Sequence, residues 1–326
     1  MVILCGYDTI KDALVNHAEF FSDRPHNPLF SKSIKEHGIA FSNGENWKVM
    51  RRFTLSTLRH YGMGKKTIEN RIVKEAECLS FSNFTSLNAA LTNIIVGILL
   101  NERFEYEDPT ILRLKALASE KIKLLGSPWV KLYNSFPSVM DRLPGPHRTI
   151  CKNFKEFQSI IIATFTKSKK EFDMNDQSNL GKQESTQYYH NENLIVLVGD
   201  LFAAAVESMS STMRWGLLLM TKYPEIQKKV QSEIDKVIGS AQPQMEHRKQ
   251  MAYTDAVIHE IQRFGDVTSI TIPHGTTIIP VLHSIHKDKK YFEKPEEFYP
   301  EHFLDSDGNF KKNEAFIPYS LGNIHN

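Results

Sequence analysis

Trp47 and Arg51 stand four residues apart in a helical pattern, so their side chains share a face and could clamp a planar or anionic ligand. A core Trp beside a solvated Arg is the plain alternative. Glu260 and Arg263 are three apart, on the face that also carries Val257 and Phe264. A half-buried charge pair there needs further partners, whereas an exposed helix pair contributes only about 0.3 kcal/mol. Glu207 and Ser208 follow Ala203-Ala204-Ala205 inside a long apolar stripe. Small residues let a flat ligand approach the helix backbone, with a carboxylate and a hydroxyl beside it. A solvated Glu and a Ser bonded back to its own helix fit the same residues. Pro300-Glu301-His302-Phe303 and Phe316-Ile317-Pro318-Tyr319-Ser320-Leu321-Gly322 complete the set.

Other patterns fail. Gly62-Met63-Gly64-Lys65-Lys66-Thr67 resembles a phosphate loop, but Arg59 stands where the first glycine belongs. His259-Glu260 opens like a zinc-protease motif, yet Arg263 occupies the place of the second His. His283 and His286 form a lone pair, and Asn83-Phe84-Thr85 is a short glycosylation pattern with a high chance rate.

The elements that must position these residues are mostly helices. The 326 residues are 41% hydrophobic and 24% charged, the composition of a globular core. A net charge of +2 excludes a nucleic-acid footprint in the totals. Cys5, Cys78 and Cys151 lie far apart, which excludes a disulfide scaffold and a zinc ribbon and fits a reducing compartment. The longest apolar run, near Ile94 to Leu100, is short of the ~18 residues a membrane span needs.

Val2 to Leu4 reads as a buried strand, and Tyr7 to Phe20 as a first helix. Further helices are predicted over Glu45–Leu58, Thr67–Leu79, Ser86–Leu100 and His147–Phe172, with a loop punctuated by Pro137, Pro144, Gly145 and Pro146 before the last. Asp173 to Tyr189 reads as a polar surface loop. From Asn191 to about Thr221, Leu194, Leu197, Leu201, Ala204, Ser208, Ser211, Trp215 and Leu219 step by three or four, giving one stripe on a helix that crosses the domain. Pro224 opens another helix, with Ile226, Val230, Ile234 and Val237 inward and Gly239 as its stop. Thr254–Phe264 is a shorter helix, and Thr276–Leu282 is strand-like.

In this order and spacing the motifs resemble the cytochrome P-450 superfamily, in particular its microsomal family 2. Leu4-Cys5-Gly6-Tyr7, Phe41-Ser42-Asn43-Gly44-Glu45, Tyr253 to Arg263 and Tyr299 to Asp305 are similar to family landmarks, and the resemblance spans nearly the whole chain. It implies a mainly α fold, a helical bundle around a long central helix with small β-sheets, present as one partial domain over residues 1–326. It implies haem b and a haem-thiolate monooxygenase that inserts one oxygen atom from dioxygen into a small apolar substrate of the drug, steroid or fatty-acid class. Electrons would come from an NADPH-dependent reductase on a basic face to which Arg59, Lys65 and Lys66 contribute. The resemblance also implies the cytosolic face of the endoplasmic reticulum membrane; without the family's anchor the chain would be cytosolic.

The resemblance supplies roles residue by residue. Trp47 and Arg51 match the pair that holds a haem propionate. Glu260 and Arg263 match a charge pair completed downstream, here by His302. Ala204 to Met209 match the motif over the haem, Ala204 and Ala205 flanking the cofactor and Glu207 and Ser208 helping deliver protons to dioxygen. Ala205 replaces a Gly, Ser208 keeps a hydroxyl where the family has Thr, and Met209 replaces a second Thr. Tyr319 and Gly322 match the haem loop. There the sequence departs: Asn326 stands at the position of the Cys that ligates iron, and Ile324 at that of an Arg that binds a propionate. A carboxamide cannot donate electrons as a thiolate does. The expectation is therefore a chain lacking the anchor, part of the segment between Asp266 and Thr276, and the helix after the ligand loop. A non-catalytic relative that binds no haem productively, or one that holds haem through His325, is the alternative.

Overall fold

The computed structural model describes residues 2–21, 23–24, 26–60, 62–80, 86–168, 188–265 and 278–320. In chain order it runs β1 (Val2–Leu4), α1 (Tyr7–Lys11), a π-helical turn (Asp12–Asn16), α2 (Ala18–Phe21), α3 (Pro28–Ile34), α4 (Gly44–His60), α5 (Lys66–Ser80), α6 (Leu87–Leu100) and α7 (Pro109–Leu125). Then follow α8 (Pro128–Ser135), α9 (Pro137–Met140), α10 (Pro146–Ser168), α11 (Asn191–Lys222), α12 (Pro224–Val237), α13 (Met245–Arg248), α14 (Ala252–Gly265), β2 (Ile278–Pro280), α15 (Leu282–His286) and a 3-10 turn (Pro300–Phe303). The fold is mainly helical. Pro28, Pro128, Pro137 and Pro224 open their helices at a position whose N–H would have no intrahelical acceptor. Asn27 caps α3 by accepting from the N–H groups of Leu29 and Phe30 at 3.1 and 3.2 Å.

The chain divides into two compact units, Met1–Asp23 with Ser208–Asn326, and Arg24–Glu207, and α11 contributes to each. In the first, β1 and β2 pair in parallel, with Ile3 opposite Ile279. Its core gathers Tyr7, Ile10, Ala256, Leu282, Ile285, Phe292, Phe303, Ala315 and Ile317. A second cluster joins Leu219 of α11 to Val257 and Ile261 of α14 and to Phe298, with Ile226 and Val230 of α12 packed against it. In the second unit, α6 is buried on most faces, as its continuous apolar pattern predicts. Leu29, Val130, Tyr133, Met140 and Ile150 form one cluster there, and Phe30, Ile34 and Val196 another.

Several readings of the sequence need correction. β1 forms but is not buried: Val2 and Ile3 are 45% and 56% exposed, because among the described residues the ribbon has only two strands. The helix from Tyr7 is interrupted, since His17 leaves helical geometry and its N–H reaches back five residues to the Asp12 carbonyl. Leu282 is not strand but the first residue of α15. Pro137 opens a short helix rather than a loop, and the sequence from Pro128 is helical as well. Asn83–Thr85, the polar stretch as far as residue 187, Val267–Gly275, Gly322, Ile324, His325 and Asn326 lie outside the described residues.

The helix α11 matches its predicted bounds, yet the buried line along it differs. Of the proposed stripe only Leu197 and Leu219 are buried, and Ala204 and Trp215 are exposed. The interior positions are Asn193, Val196, Leu197, Asp200, Phe202, Val206, Ser210 and Leu219. Counting apolar residues missed this because two polar side chains are turned inward by backbone donors. Gly38 N–H donates to Asn193 Oδ1 at 2.7 Å, and the N–H groups of Ile39 and Ala40 both donate to Asp200 Oδ2 at 3.0 Å. By length and composition α11 also passes for a membrane span, with a mean hydropathy of 1.6 over 18 residues, although no uninterrupted apolar run marks it. Asn193 and Asp200 of the same helix are nonetheless buried polar residues, and 39% of that window is buried within the protein.

The loop seated on α11 depends on Gly38. Its φ is +79°, and a Cβ there would lie 2.3 Å from Asp200 Oδ2 and 2.8 Å from Val196 Cγ1. Gly38→Ala adds left-handed strain to an overpacked contact, and should destabilise the chain by about 2–4 kcal/mol. A denaturant melt checks this; a midpoint equal to that of the parent would contradict it.

Candidate functional site

Glu260 and Arg263 both lie in α14 and neither side chain has any exposure to water. Arg263 Nε donates to Glu260 Oε2 and Nη2 to Glu260 Oε1, both at 2.7 Å, a bidentate pair. The remaining donors meet backbone carbonyls: Nη1 reaches His286 O at 2.7 Å and Pro295 O at 2.9 Å, and Nη2 also reaches Glu297 O at 2.9 Å. All five N–H groups of a guanidinium are thereby answered. The carboxylate is equally complete, because Tyr299 N–H donates to Oε1 at 2.8 Å and His302 Nδ1 lies 3.2 Å from Oε2. His302 Nε2 accepts from Lys294 N–H at 3.2 Å, which places the ring hydrogen on Nδ1, where it is donated to Glu260. Spacing together with the family resemblance pointed to Glu260, Arg263 and His302. The three carbonyls carry no sequence signal, since any residue supplies one.

In α4, Trp47 and Arg51 share a face, and the Arg51 guanidinium lies 5.0 Å from the Trp47 ring centroid. A residue that the sequence reading missed completes the group: Arg24 lies 4.5 Å from the same ring. Arg24 is held by Asn43, whose Oδ1 accepts from Arg24 N–H at 2.6 Å and whose Nδ2 donates to Arg24 O at 2.7 Å. Two cations on one indole form a positive patch suited to a carboxylate or phosphate. No periodicity links residue 24 to residue 47, so no pattern could have revealed it.

Ala204, Ala205, Glu207 and Ser208 follow one another along α11. Ala204 is exposed and the other three are half-buried, while Val206 between them is buried. Glu207 has no ion pair among the described residues. Tyr319 is 67% exposed.

Between α7, α10 and α11 lies an apolar cavity of about 30 Å³, lined by Leu117, Ile150, Phe154, Phe157, Val196 and Ala203 together with Lys121 and Asp200. This is room for about two waters rather than for an organic molecule. Burial holds the Lys121 ammonium below its ordinary range and pushes the Asp200 carboxyl above its own.

The buried pair dictates a test. Arg263→Ala leaves the Glu260 carboxylate uncompensated away from water and should cost about 3–5 kcal/mol. Domains are stable by only about 5–15 kcal/mol, so the variant should be recovered largely as insoluble protein. Arg263→Lys keeps the charge but answers fewer acceptors, and should fall between the two. Soluble yield and melting midpoint measure this; parent-like values for Arg263→Ala would contradict it.

The arrangement has known counterparts. A family model described as cytochrome P450 matches residues 1–323. Cytochrome P450 2C29 of Mus musculus is 41% identical to this chain, covering 98% of it and 73% of the relative. Cytochrome P450 2C5 of Oryctolagus cuniculus is 40% identical with the same coverages, and cytochrome P450 2F2 of Mus musculus is 37% identical over 99% and 73%. A mainly helical chain with a closed charge cluster in α14, matched along almost its full length, belongs to the cytochrome P450 family, a family of haem-thiolate monooxygenases.

Proposed function

We propose that this chain carries the scaffold of a P450 monooxygenase but does not complete the haem-thiolate centre. The reaction for which the scaffold is built is insertion of one oxygen atom from dioxygen into a small apolar xenobiotic, steroid or fatty acid. Electrons would come from NADPH through a reductase, at the cytosolic face of the endoplasmic reticulum. Exposure of Arg59, Lys65 and Lys66 at the junction of α4 and α5 supports an acidic redox partner there.

The haem fits one part of this chain and not the other. Trp47, Arg51 and Arg24 suit a propionate, since two guanidinium groups converge on one ring. The axial position does not fit. Asn326 stands where the family supplies Cys, and a carboxamide offers neither thiolate charge nor sulfur donation to iron. Cys5, Cys78 and Cys151 belong to other segments, and Cys151 Sγ lies 3.3 Å from Ser33 Oγ. This mismatch carries the proposal, and no oxygen-transfer step is assigned to Glu207 or Ser208.

Purified chain mixed with haem, reduced and exposed to carbon monoxide should hold far less than one haem per chain and give no thiolate-type band. Asn326→Cys combined with Ile324→Arg should raise haem content above that of the parent and of Asn326→Cys alone. A stoichiometric thiolate-type spectrum from the parent would overturn the proposal. An imidazole-type spectrum would transfer the ligand role to His325.

A further inference from the structure

We propose that His37, His190 and Glu192 form a site for a divalent transition metal, zinc above all, in the unit Arg24–Glu207. One ligand atom from each residue can be chosen so that all three lie within 4.8 Å of one another. The two imidazoles meet edge to face, with ring centroids 4.7 Å apart. Zinc bonds to imidazole nitrogen and carboxylate oxygen at about 2.0–2.2 Å, so tetrahedral ligands sit roughly 3.3–3.5 Å from each other. Small side-chain rotations close the difference. Two nitrogens and one carboxylate oxygen favour zinc over calcium or magnesium, and a water would take the fourth position.

Both carriers of the ligands are fixed. His37 follows Lys35 and Glu36, which have φ of 52° and 58°, and this left-handed turn ends α3 and brings the imidazole to the start of α11. The next residue, Gly38, donates its N–H to Asn193 Oδ1, one residue beyond Glu192. Asn193 Nδ2 also donates to Asn46 Oδ1 at 2.8 Å.

Three features oppose the metal. His190 Nδ1 accepts from Asn193 N–H at 3.3 Å, a long hydrogen bond that a metal–nitrogen bond would replace. Lys35 Nζ lies 3.2 Å from Glu192 Oε2, but both side chains are more than half exposed, where such pairs contribute little. The N-terminus of α11 also repels a cation, so the charge of Glu192 is needed to offset the helix dipole.

The test is calorimetric titration of the full chain, freed of metal by a chelator, with zinc chloride. One zinc should bind per chain, and His37→Ala or Glu192→Gln should weaken binding by at least about tenfold. Lys35→Gln should tighten it, because the competing cation is gone. Cobalt(II) in place of zinc should give the visible absorption of a four-coordinate site in the parent and lose it in His37→Ala. Circular dichroism identifies a variant that has not folded, and Lys35→Gln, which removes a competing cation but no ligand, keeps the test open in that case. Equal affinity of the parent, His37→Ala and Glu192→Gln would overturn the proposal, as would cobalt spectra typical of the hydrated ion.

Discussion

A guanidinium sealed from water must have its charge and every N–H group answered inside the protein, and Arg263 meets that demand in full. Its partners come from three stretches of chain that would otherwise have no reason to meet. Glu260 supplies the charge from one turn earlier in α14. His286 closes α15, and Pro295 and Glu297 belong to the irregular stretch before the 3-10 turn. Around that hub the core of Tyr7, Ile10, Phe292 and Phe303 assembles, and Phe292 also offers its ring to Arg263 at 5.1 Å. A buried pair of this kind rarely adds net stability over a well-packed apolar substitute. Its contribution is specificity: few arrangements of the segment 286–302 satisfy all of its donors and acceptors together.

The cluster was partly legible in the sequence. Glu260 and Arg263 fall at helical spacing, and His302 lies in a landmark string, so three side chains could be named. The carbonyls that complete the site could not, because a backbone acceptor has no residue identity. Arg24 escaped for a related reason, as its approach to Trp47 is fixed by Asn43 and not by any period. The long helix shows the reverse failure. Its extent was plain from periodicity, but its buried line was misplaced, since Asn193 and Asp200 occupy interior positions that a count of apolar residues assigns elsewhere. Pattern reads where apolar side chains fall, and here the backbone of residues 38–40 decided the facing instead.

The groups that close the α14 cluster are present in full chemical detail, whereas Asn326 stands where the family resemblance places a Cys. The α14 cluster does not require iron in order to form, because its donors and acceptors are satisfied by protein groups alone. Fold and reaction centre are therefore distinct demands on one sequence, and the α14 cluster meets the first with protein groups alone.

That independence is measured most directly by amide hydrogen exchange on the chain prepared without haem. Tyr299 lies outside regular helix, yet its N–H donates to a fully buried carboxylate at 2.8 Å. The account predicts that this amide exchanges as slowly as the core amides of α14, through opening of the whole unit. Exchange at the rate of an exposed loop, with α14 still protected, would contradict the claim that the charge cluster organises the fold in the absence of the cofactor.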